Sequence, residues 1–326
     1  MQRSANDKHR LEMIDVARGV AIVAMAIYHF AWDLEFFGYL EPGTTAVGGW
    51  RLFARSIASS FLFLVGVSLV LAHARGIRWQ SFLKRLAQVG AAAAAISLAT
   101  WIAVPGGFIF FGILHQIALA SLLGLAFLRL PWWLVASVAV AVIAAPHYLR
   151  SEFFDHPALW WVGLSSVNPR SNDYVPLLPW FGAVLCGIAA ARLGTSTGLF
   201  ERLARSRPGG WSLPLQLAGR HGLAIYLIHQ PVLIGGLWLF AQVAPAAQPP
   251  RDIQFTRACT AQCEQTHDAD FCSRYCVCMV DALVAEDRFD EVFDGTPSPE
   301  TDTRLQDMVS MCTVEASSAD TGEDGQ

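Results

Sequence analysis

Long apolar runs constrain this 326-residue chain more than any other feature. A helix needs about 20 predominantly apolar residues to cross the hydrocarbon core of a bilayer. Hydrophobic residues make up 54% of the chain and charged residues 15%, a balance typical of membrane proteins. The first run is too long for a signal peptide and no small-residue cleavage site follows it, so we expect it to persist as a helix. Seven runs are predicted to span a membrane: 14–36, 55–74, 86–104, 107–127, 131–149, 176–193 and 219–242.

The basic residues predict how these helices are oriented. Positively charged residues are retained on the cytoplasmic side of short loops. With residues 1–13 in the cytoplasm, fourteen basic residues lie inside, against Arg51, Arg55, Arg150 and Arg170 outside. Seven crossings by the domain 14–242 then place the following residues on the outer side. The sequence thus predicts an all-α polytopic bundle with a tail on the outer side of the membrane.

The tail differs from the bundle in its charge and in its cysteines. From Arg251 onward it has 5 basic and 17 acidic residues, against 18 and 10 before that point. Two Cys-x3-Cys motifs each place their sulfurs on one helix face. Two antiparallel helices could pair Cys259 with Cys276 and Cys263 with Cys272, leaving Cys278 for Cys312, which is one of the fifteen pairings that six cysteines allow. Such disulfides require an oxidising compartment, which agrees with the predicted orientation.

Two further interpretations concern this tail. A zinc site is an alternative to the disulfides, although the cysteine spacings fit no standard zinc finger. We predict a Cys-rich helical domain over 243–312. The acidic residues 313–326 have few large apolar side chains, and we expect them to be disordered.

An ionisable stripe runs along the first predicted helix. Asp15, Arg18, His29 and Asp33 fall within an arc of roughly 60° at 100° per residue. Charged groups at membrane depth are costly, so they face a bundle interior and often mark a functional path. His29 and Asp33, one turn apart, have the form of a general base and the carboxylate that orients it. The alternative is a structural pair that joins helices by hydrogen bonds.

Other apolar runs also contain polar residues. His115 lies midway along the fourth run and His229 lies in the last. Either histidine alone is more often a satisfied interior residue than a catalyst, but three in one bundle have a shared interior to face. Asp173 precedes the sixth run, where capping of that helix and participation in a site are equally plausible.

Several stretches resemble a known enzyme family. They are "LEMIDVARGVAIVAMAIYHF", "SFLFLVGVSLVL", "GILHQIALASLLGL", "DYVPLLPWFGAVLCGIAAAR" and "LAGRHGLAIYLIHQPVLIG". In this order they resemble bacterial relatives of the heparan-α-glucosaminide N-acetyltransferase catalytic domain, over roughly residues 10–242. The resemblance suggests a bacterial inner membrane for the bundle, with the tail in the periplasm. The Asp-x-x-Arg-Gly start, with a histidine eleven residues after the arginine, also resembles the wider superfamily of membrane acyltransferases.

This resemblance implies a membrane acyltransferase that moves an acetyl group from cytoplasmic acetyl-CoA, or another acyl-CoA, to an extracytoplasmic sugar or glycan. His29 then corresponds to the histidine thought to act in transfer. Arg18 matches the arginine of the opening motif, and basic loop residues of "RGIRWQSFLKR" and "RLARSRPGG" are candidates to hold the coenzyme phosphates. The candidate substrate- or cofactor-binding residues are Asp15, Arg18, His115, Asp173, Arg220 and His229.

A transporter or flippase with the stripe as a proton relay is the alternative function, because buried His and Asp suit that role equally well. Besides the lipid bilayer and the sugar, a second copy of the chain is a candidate partner, since a homodimer would close a short bundle. We expect no metal and no nucleic acid, because the basic residues follow the topology and the tail is acidic.

Overall fold

The computed structural model describes residues 11–74, 76–205, 208–247, 249–264, 266–295 and 298–318. These residues form helices and no strand. The chain divides into two compact units, one up to Pro245 and one from Ala246. The all-helical class predicted from the sequence is therefore confirmed.

The first unit is a bundle of apolar helices. Five of them, α1, α2, α3, α6 and α9, are long and apolar enough to cross a membrane. Two shorter apolar helices, α4 and α5, complete the set that corresponds to the seven predicted runs. In chain order the described helices of this unit are α1 Glu12–Phe36, α2 Gly48–His73, α3 Trp79–Ala103, α4 Ile113–Gly124, α5 Trp132–Tyr148, α6 Leu177–Ser196, α7 Leu199–Arg205, α8 Leu213–Arg220 and α9 Gly222–Val243.

The fourth helix begins later than the sequence indicates. The apolar run at 107–127 predicts a full span, but α4 starts at Ile113 and a short 3-10 turn follows it to Phe127. Pro105, Gly106 and Gly107 form another 3-10 turn before it. The backbone oxygens of Gly107 and Phe111 accept hydrogen bonds from the backbone nitrogens of Asn172 and Val175 instead of from a helix turn, so hydrophobicity alone overestimates the helix length.

The core lies around α6, which packs against α2 and α5. Leu62, Val135, Val184, Leu185 and Ile188 are fully buried there. Apolar side chains on the outer face of α1 are exposed instead: Val20, Val23, Ile27 and Phe30 are between 45% and 53% exposed. Apolar side chains that point away from a bundle are suited to contact lipid tails, since every backbone group is satisfied within its helix.

Close backbone contact joins α1 to α8. A Cβ atom added at Gly219 would lie 2.0 Å from the carbonyl oxygen of Asp15, and one at Gly19 would lie 2.1 Å from that of Leu215. Only glycine fits at such distances. This packing brings Arg220, the last residue of α8, beside the start of α1.

The second unit is a small helical domain held by disulfides. Its helices are α10 Arg251–Cys263, α11 Ala269–Ala285, α12 Phe289–Phe293 and α13 Pro299–Ser318. Disulfides Cys259–Cys276 and Cys263–Cys272 join α10 to α11, and Cys278–Cys312 joins α11 to α13. The three pairs are those that the helix-face argument predicts.

The end of the tail differs from the prediction of disorder over 313–326. Helix α13 continues through Ser318, and Ala316 on its last turn is buried. The backbone oxygen of Ala316 accepts a hydrogen bond from Arg274 on α11 at 2.9 Å. This contact with α11 explains why an acidic segment with few large apolar residues is helical there. The remaining residues of that prediction lie outside the described part of the chain.

Candidate functional site

Two histidines from the first and last helices of the bundle meet in its interior. His229 Nε2 on α9 lies 3.1 Å from His29 Nδ1 on α1. His29 Nδ1 is also 3.1 Å from the backbone oxygen of Met25, and His229 Nδ1 is 2.7 Å from that of Tyr226. Each imidazole is therefore anchored to its own helix and to the other ring.

For neutral imidazoles, these contacts select one tautomer of each ring. A backbone oxygen only accepts, so His229 Nδ1 carries the proton and its Nε2 is an acceptor. The proton between the rings then belongs to His29 Nδ1, which donates to His229 Nε2 and to Met25. His29 Nε2 is left with its lone pair and has no hydrogen bond to any described residue. An oriented imidazole with a free acceptor nitrogen is the arrangement that a general base needs.

Asp33 does not orient His29 in the way that the sequence predicts. Its Oδ1 accepts a hydrogen bond from Gln230 Nε2 at 2.6 Å, and the aspartate is fully buried. The spacing of four residues places both side chains on one face of α1. However, Gln230 follows His229 on α9 and takes the carboxylate, while Met25 and His229 take the imidazole. Asp33 Oδ2 and Gln230 Oε1 are buried without a hydrogen-bond partner.

The buried carboxylate of Asp15 contacts two arginines, one on α1 and one on α8, at the end of the bundle where α1 begins. Asp15 Oδ1 lies 3.1 Å from Arg18 Nη1, and its Oδ2 lies 3.4 Å from Nε of Arg220. Arg18 Nη2 also donates to Ser68 Oγ on α2 at 2.5 Å. Asp15 is 1% exposed, whereas about a third of each arginine side chain remains accessible. Two guanidinium groups share one carboxylate, so the cluster has a net positive charge.

A cavity of about 960 Å³ opens beside this cluster. The charged residues in the described part of its lining are all basic: Arg18, Arg78, Arg85 and Arg220, with His73 and His221. Arg78 and Arg85, at the start of α3, form no ion pair with any described residue. A cavity of this size holds a ligand of several hundred daltons, and its charges favour a polyanion.

The basic loops contribute unequally to this cavity. Arg78 and Arg85 of "RGIRWQSFLKR" line it, and Lys84 between them does not. Arg202 and Arg205 of "RLARSRPGG" are also absent from the lining. Arg75 and Arg207 lie outside the described residues. The prediction that both loops hold phosphates thus finds support at two positions only.

His115 and Asp173 stabilise the start of α4. His115 Nδ1 accepts from the Gly112 backbone at 3.2 Å, and its Nε2 lies 3.2 Å from Ser97 Oγ. Asp173 Oδ2 accepts from the backbone nitrogen of Ile113 at 2.8 Å. Burial raises the pKa of Asp173 to about 6, which the hydrogen bond from Ile113 partly opposes. Asp173 caps α4 rather than α6, the helix that it precedes, because the chain folds back onto the start of α4.

Tyr226 connects the cavity with the histidine pair. It lines the cavity, its backbone oxygen accepts from His229, and the two rings lie 5.6 Å apart. Sequence reasoning missed Tyr226, Gln230 and Ser68. The first two flank His229 in "YLIHQP", and that proximity was the signal available for them. Ser68 gave no signal, since serines at membrane depth most often bond to their own helix.

No metal site is formed by the described residues, among which no group of three or more His, Cys, Asp or Glu side chains is suitably placed. The six tail cysteines are paired as disulfides, and Cys186 in α6 is a free thiol. The structure thus favours the disulfide interpretation of the tail over zinc.

A protein-family model matches most of the bundle. The model for the heparan-alpha-glucosaminide N-acetyltransferase catalytic domain matches residues 10–231, a range that starts just before α1 and ends at Pro231 in α9. No curated protein and no solved structure matches the chain significantly. The matched region contains both histidines and every basic residue of the cavity. The chain therefore belongs to the family of heparan-α-glucosaminide N-acetyltransferase catalytic domains, a family of membrane acetyltransferase-like proteins.

Proposed function

We propose that this protein transfers an acetyl group from acetyl-CoA to a sugar, with His29 as the general base. The observation that carries the proposal is the basic cavity, because it lies next to an oriented histidine pair in a chain of this family. The transfer would take place within the bundle, between a donor site at the end where α1 begins and an acceptor that enters from the other end.

The cavity suits the donor by its chemistry. Coenzyme A carries a pyrophosphate and a 3′-phosphate, and guanidinium groups bind phosphate oxygens through paired hydrogen bonds. Arg78 and Arg85 pair with no carboxylate among the described residues, so they are the first candidates for the phosphates. Arg18 and Arg220 are held by Asp15 and would act from fixed positions.

The spacing along α1 places the base away from those phosphates. Arg18 and His29 are eleven residues apart, about 16 Å along the helix axis at 1.5 Å per residue. The pantetheine arm of the coenzyme separates its thioester from its phosphates. Tyr226, which borders both the cavity and His229, marks the path that this arm would follow.

The histidine pair would move one proton in the transfer. His29 Nε2 accepts the proton of the acceptor amine or hydroxyl while that nitrogen or oxygen attacks the thioester carbonyl carbon. The carbon–sulfur bond then breaks, and His29 returns the proton to the departing thiolate. The positive charge on His29 in between is shared with His229, whose Nε2 accepts from His29 Nδ1. General-base assistance of this kind is typically worth roughly 10²–10⁴ in rate.

The acceptor and the location follow from the same argument. The name of the family describes acetylation of a glucosaminide nitrogen, so an amino sugar is the first acceptor to test. We place the end with the basic cavity in the cytoplasm, where acetyl-CoA is made, and the tail domain in the periplasm of a bacterium. The disulfides of the tail support that placement, because they persist in an oxidising compartment.

Transfer should be measured with the full chain in detergent micelles. The substrates are acetyl-CoA and glucosamine, and the readouts are thiol release and N-acetylglucosamine formation. We expect His29→Ala to lower turnover by about 10²-fold or more, as removal of a general base does. His156→Ala is the matched control, since this exposed loop histidine lies on neither the cavity nor the pair.

The outcome would distinguish the two functional classes. Turnover that survives His29→Ala in a folded protein would refute the base assignment. Failure to bind acetyl-CoA at all would refute the acetyltransferase proposal and favour a carrier in which the histidines relay protons.

A further inference from the structure

A second cavity, of about 1290 Å³, lies on a different face of α1 from the histidine pair. We call it the lateral groove. Its walls come from α1, α2, α5 and α6, and on α2 it extends from Phe53 to Leu64. These eleven steps correspond to about 16 Å along the helix axis.

One end of the lateral groove is strongly basic. Arg55 lies near the start of α2 and Arg150 directly after the end of α5, so both belong to the end of the bundle opposite to the basic cavity. None of the described residues that line the groove is acidic. Neither arginine forms an ion pair with any residue in the described ranges, and both are exposed. His147, Ser165 and Asn168 add polar groups at the same end.

The rest of the lateral groove is mostly apolar. Its lining includes the small Ala21 and Ala24 on α1 and Ala183 on α6, together with larger side chains such as Ile57, Phe63 and Leu64. The hydroxyl of Ser60 donates to the backbone oxygen of Ser56, so its proton needs no hydrogen-bond acceptor from a ligand. Small residues leave room for a chain without polar groups.

We propose that the lateral groove binds a phospholipid with an anionic headgroup, from the leaflet at the end where α2 begins. The headgroup phosphate would lie between Arg55 and Arg150, and one acyl chain would follow the apolar wall toward Ala183. Basic pockets between membrane helices bind anionic lipid headgroups in this way. A free phosphate would use the arginines alone and leave the apolar wall in contact with water.

The site is separate from the proposed transfer chemistry. Ala21 and Ala24 line the lateral groove, whereas His29 on the same helix contacts His229 of α9. The lipid is therefore not required to be a substrate. Binding should be detectable in a protein that lacks any transfer activity.

The test is a lipid titration of the purified full chain in detergent, followed by native mass spectrometry and by thermal unfolding. The probes are phosphatidylglycerol, zwitterionic phosphatidylcholine and water-soluble glycerol phosphate. We expect phosphatidylglycerol to bind most tightly and to raise the unfolding temperature. At about 1 kcal/mol for each arginine, the double variant Arg55→Gln/Arg150→Gln should weaken its binding about 30-fold.

Two further variants separate charge from fit. Arg51→Gln removes an exposed arginine from the first turn of α2 that does not line the groove, and phosphatidylglycerol affinity should be unchanged. Ser60→Leu keeps both arginines and fills the apolar part, and it should abolish binding while the lipid-free protein stays folded. Equal binding of phosphatidylcholine, equal binding of glycerol phosphate, or full binding by either groove variant would overturn the proposal.

Discussion

Replacement of His229 by alanine tests the role assigned to the histidine pair. The variant removes the acceptor that His29 Nδ1 contacts at 3.1 Å, but Met25 still accepts from the same nitrogen. His29 becomes positively charged during transfer, so the loss in kcat is the difference between a hydrogen bond to a charged group, about 1.5–3 kcal/mol, and one between neutral groups, about 0.5–1.5 kcal/mol. At 1.36 kcal/mol for each factor of ten, this difference of about 1–1.5 kcal/mol should lower turnover about 5- to 13-fold.

The turnover of His229→Ala should be compared with that of His29→Ala. Loss of the base itself should lower turnover by roughly 10²–10⁴. Because His229 acts through His29, the double variant should be no slower than His29→Ala alone. The KM for acetyl-CoA should stay the same in His229→Ala while kcat falls, since His229 contacts the base and not the donor cavity.

The assay is thiol release from acetyl-CoA with glucosamine as acceptor, measured on all three variants at matched amounts of folded protein. Unfolding temperatures provide the control for damage to the bundle. Two results would refute the reasoning. One is a His229→Ala variant as impaired as His29→Ala, and the other is a double variant whose defect is the product of the single defects.

Three more predictions concern the frame around this site. Gly219→Ala places a Cβ where the Asp15 carbonyl lies 2.0 Å away, so α8 must move off α1 and the unfolding temperature should drop, whereas Gly210→Ala, in open space, should be neutral. Burial raises the pKa of Asp173 to about 6, above its usual value of about 3.9. Its contribution to stability is therefore present at low pH and is lost as pH rises through 6. In denaturant titrations, Asp173→Asn should make the free energy of unfolding depend less on pH between 4 and 7. Reduction of the disulfides should unfold the tail domain by circular dichroism but leave acetyl-CoA affinity unchanged, and a parallel loss of affinity would contradict the separation into two units.

The membrane helices were predictable from the sequence because the relevant signal is local. Run length and hydropathy locate α1, α2, α3, α6 and α9 to within a few residues, apart from earlier starts of α2 and α3. The limits appear at α4, where the start of the apolar run bonds to the distant Asn172 and Val175 and does not form a helix. The Cys-x3-Cys motifs predict the tail disulfides for the same local reason, since spacing alone places the sulfurs on one helix face.

The partners across the site were not predictable from spacing. The four ionisable groups of α1 share a face, but whether Asp33 bonds to His29 or to Gln230 depends on how α9 packs against α1. Arg220 reaches Asp15 only because Gly19 and Gly219 let two backbones touch. Helix periodicity contains no information about such contacts between distant segments.

The helix that Asp173 caps was also not predictable from the sequence. Its position just before α6 suggests a cap on that helix, and its carboxylate instead accepts from Ile113 on α4. The sequence correctly indicates a helix-capping residue type. Only the tertiary fold determines which helix end it reaches.

Binding of acetyl-CoA to the purified full chain is the measurement that tests the central claim most directly. Isothermal calorimetry should compare acetyl-CoA with dephospho-CoA and ATP, in the unmodified protein, in Arg78→Gln/Arg85→Gln and in the control Lys84→Gln. We expect micromolar binding that prefers the intact coenzyme. Loss of both arginines should weaken it at least about tenfold, because hydrogen bonds to charged groups contribute about 1.5–3 kcal/mol. Lys84→Gln should leave the affinity unchanged. A folded protein that does not bind acetyl-CoA, or that binds it equally well without Arg78 and Arg85, would contradict the central claim.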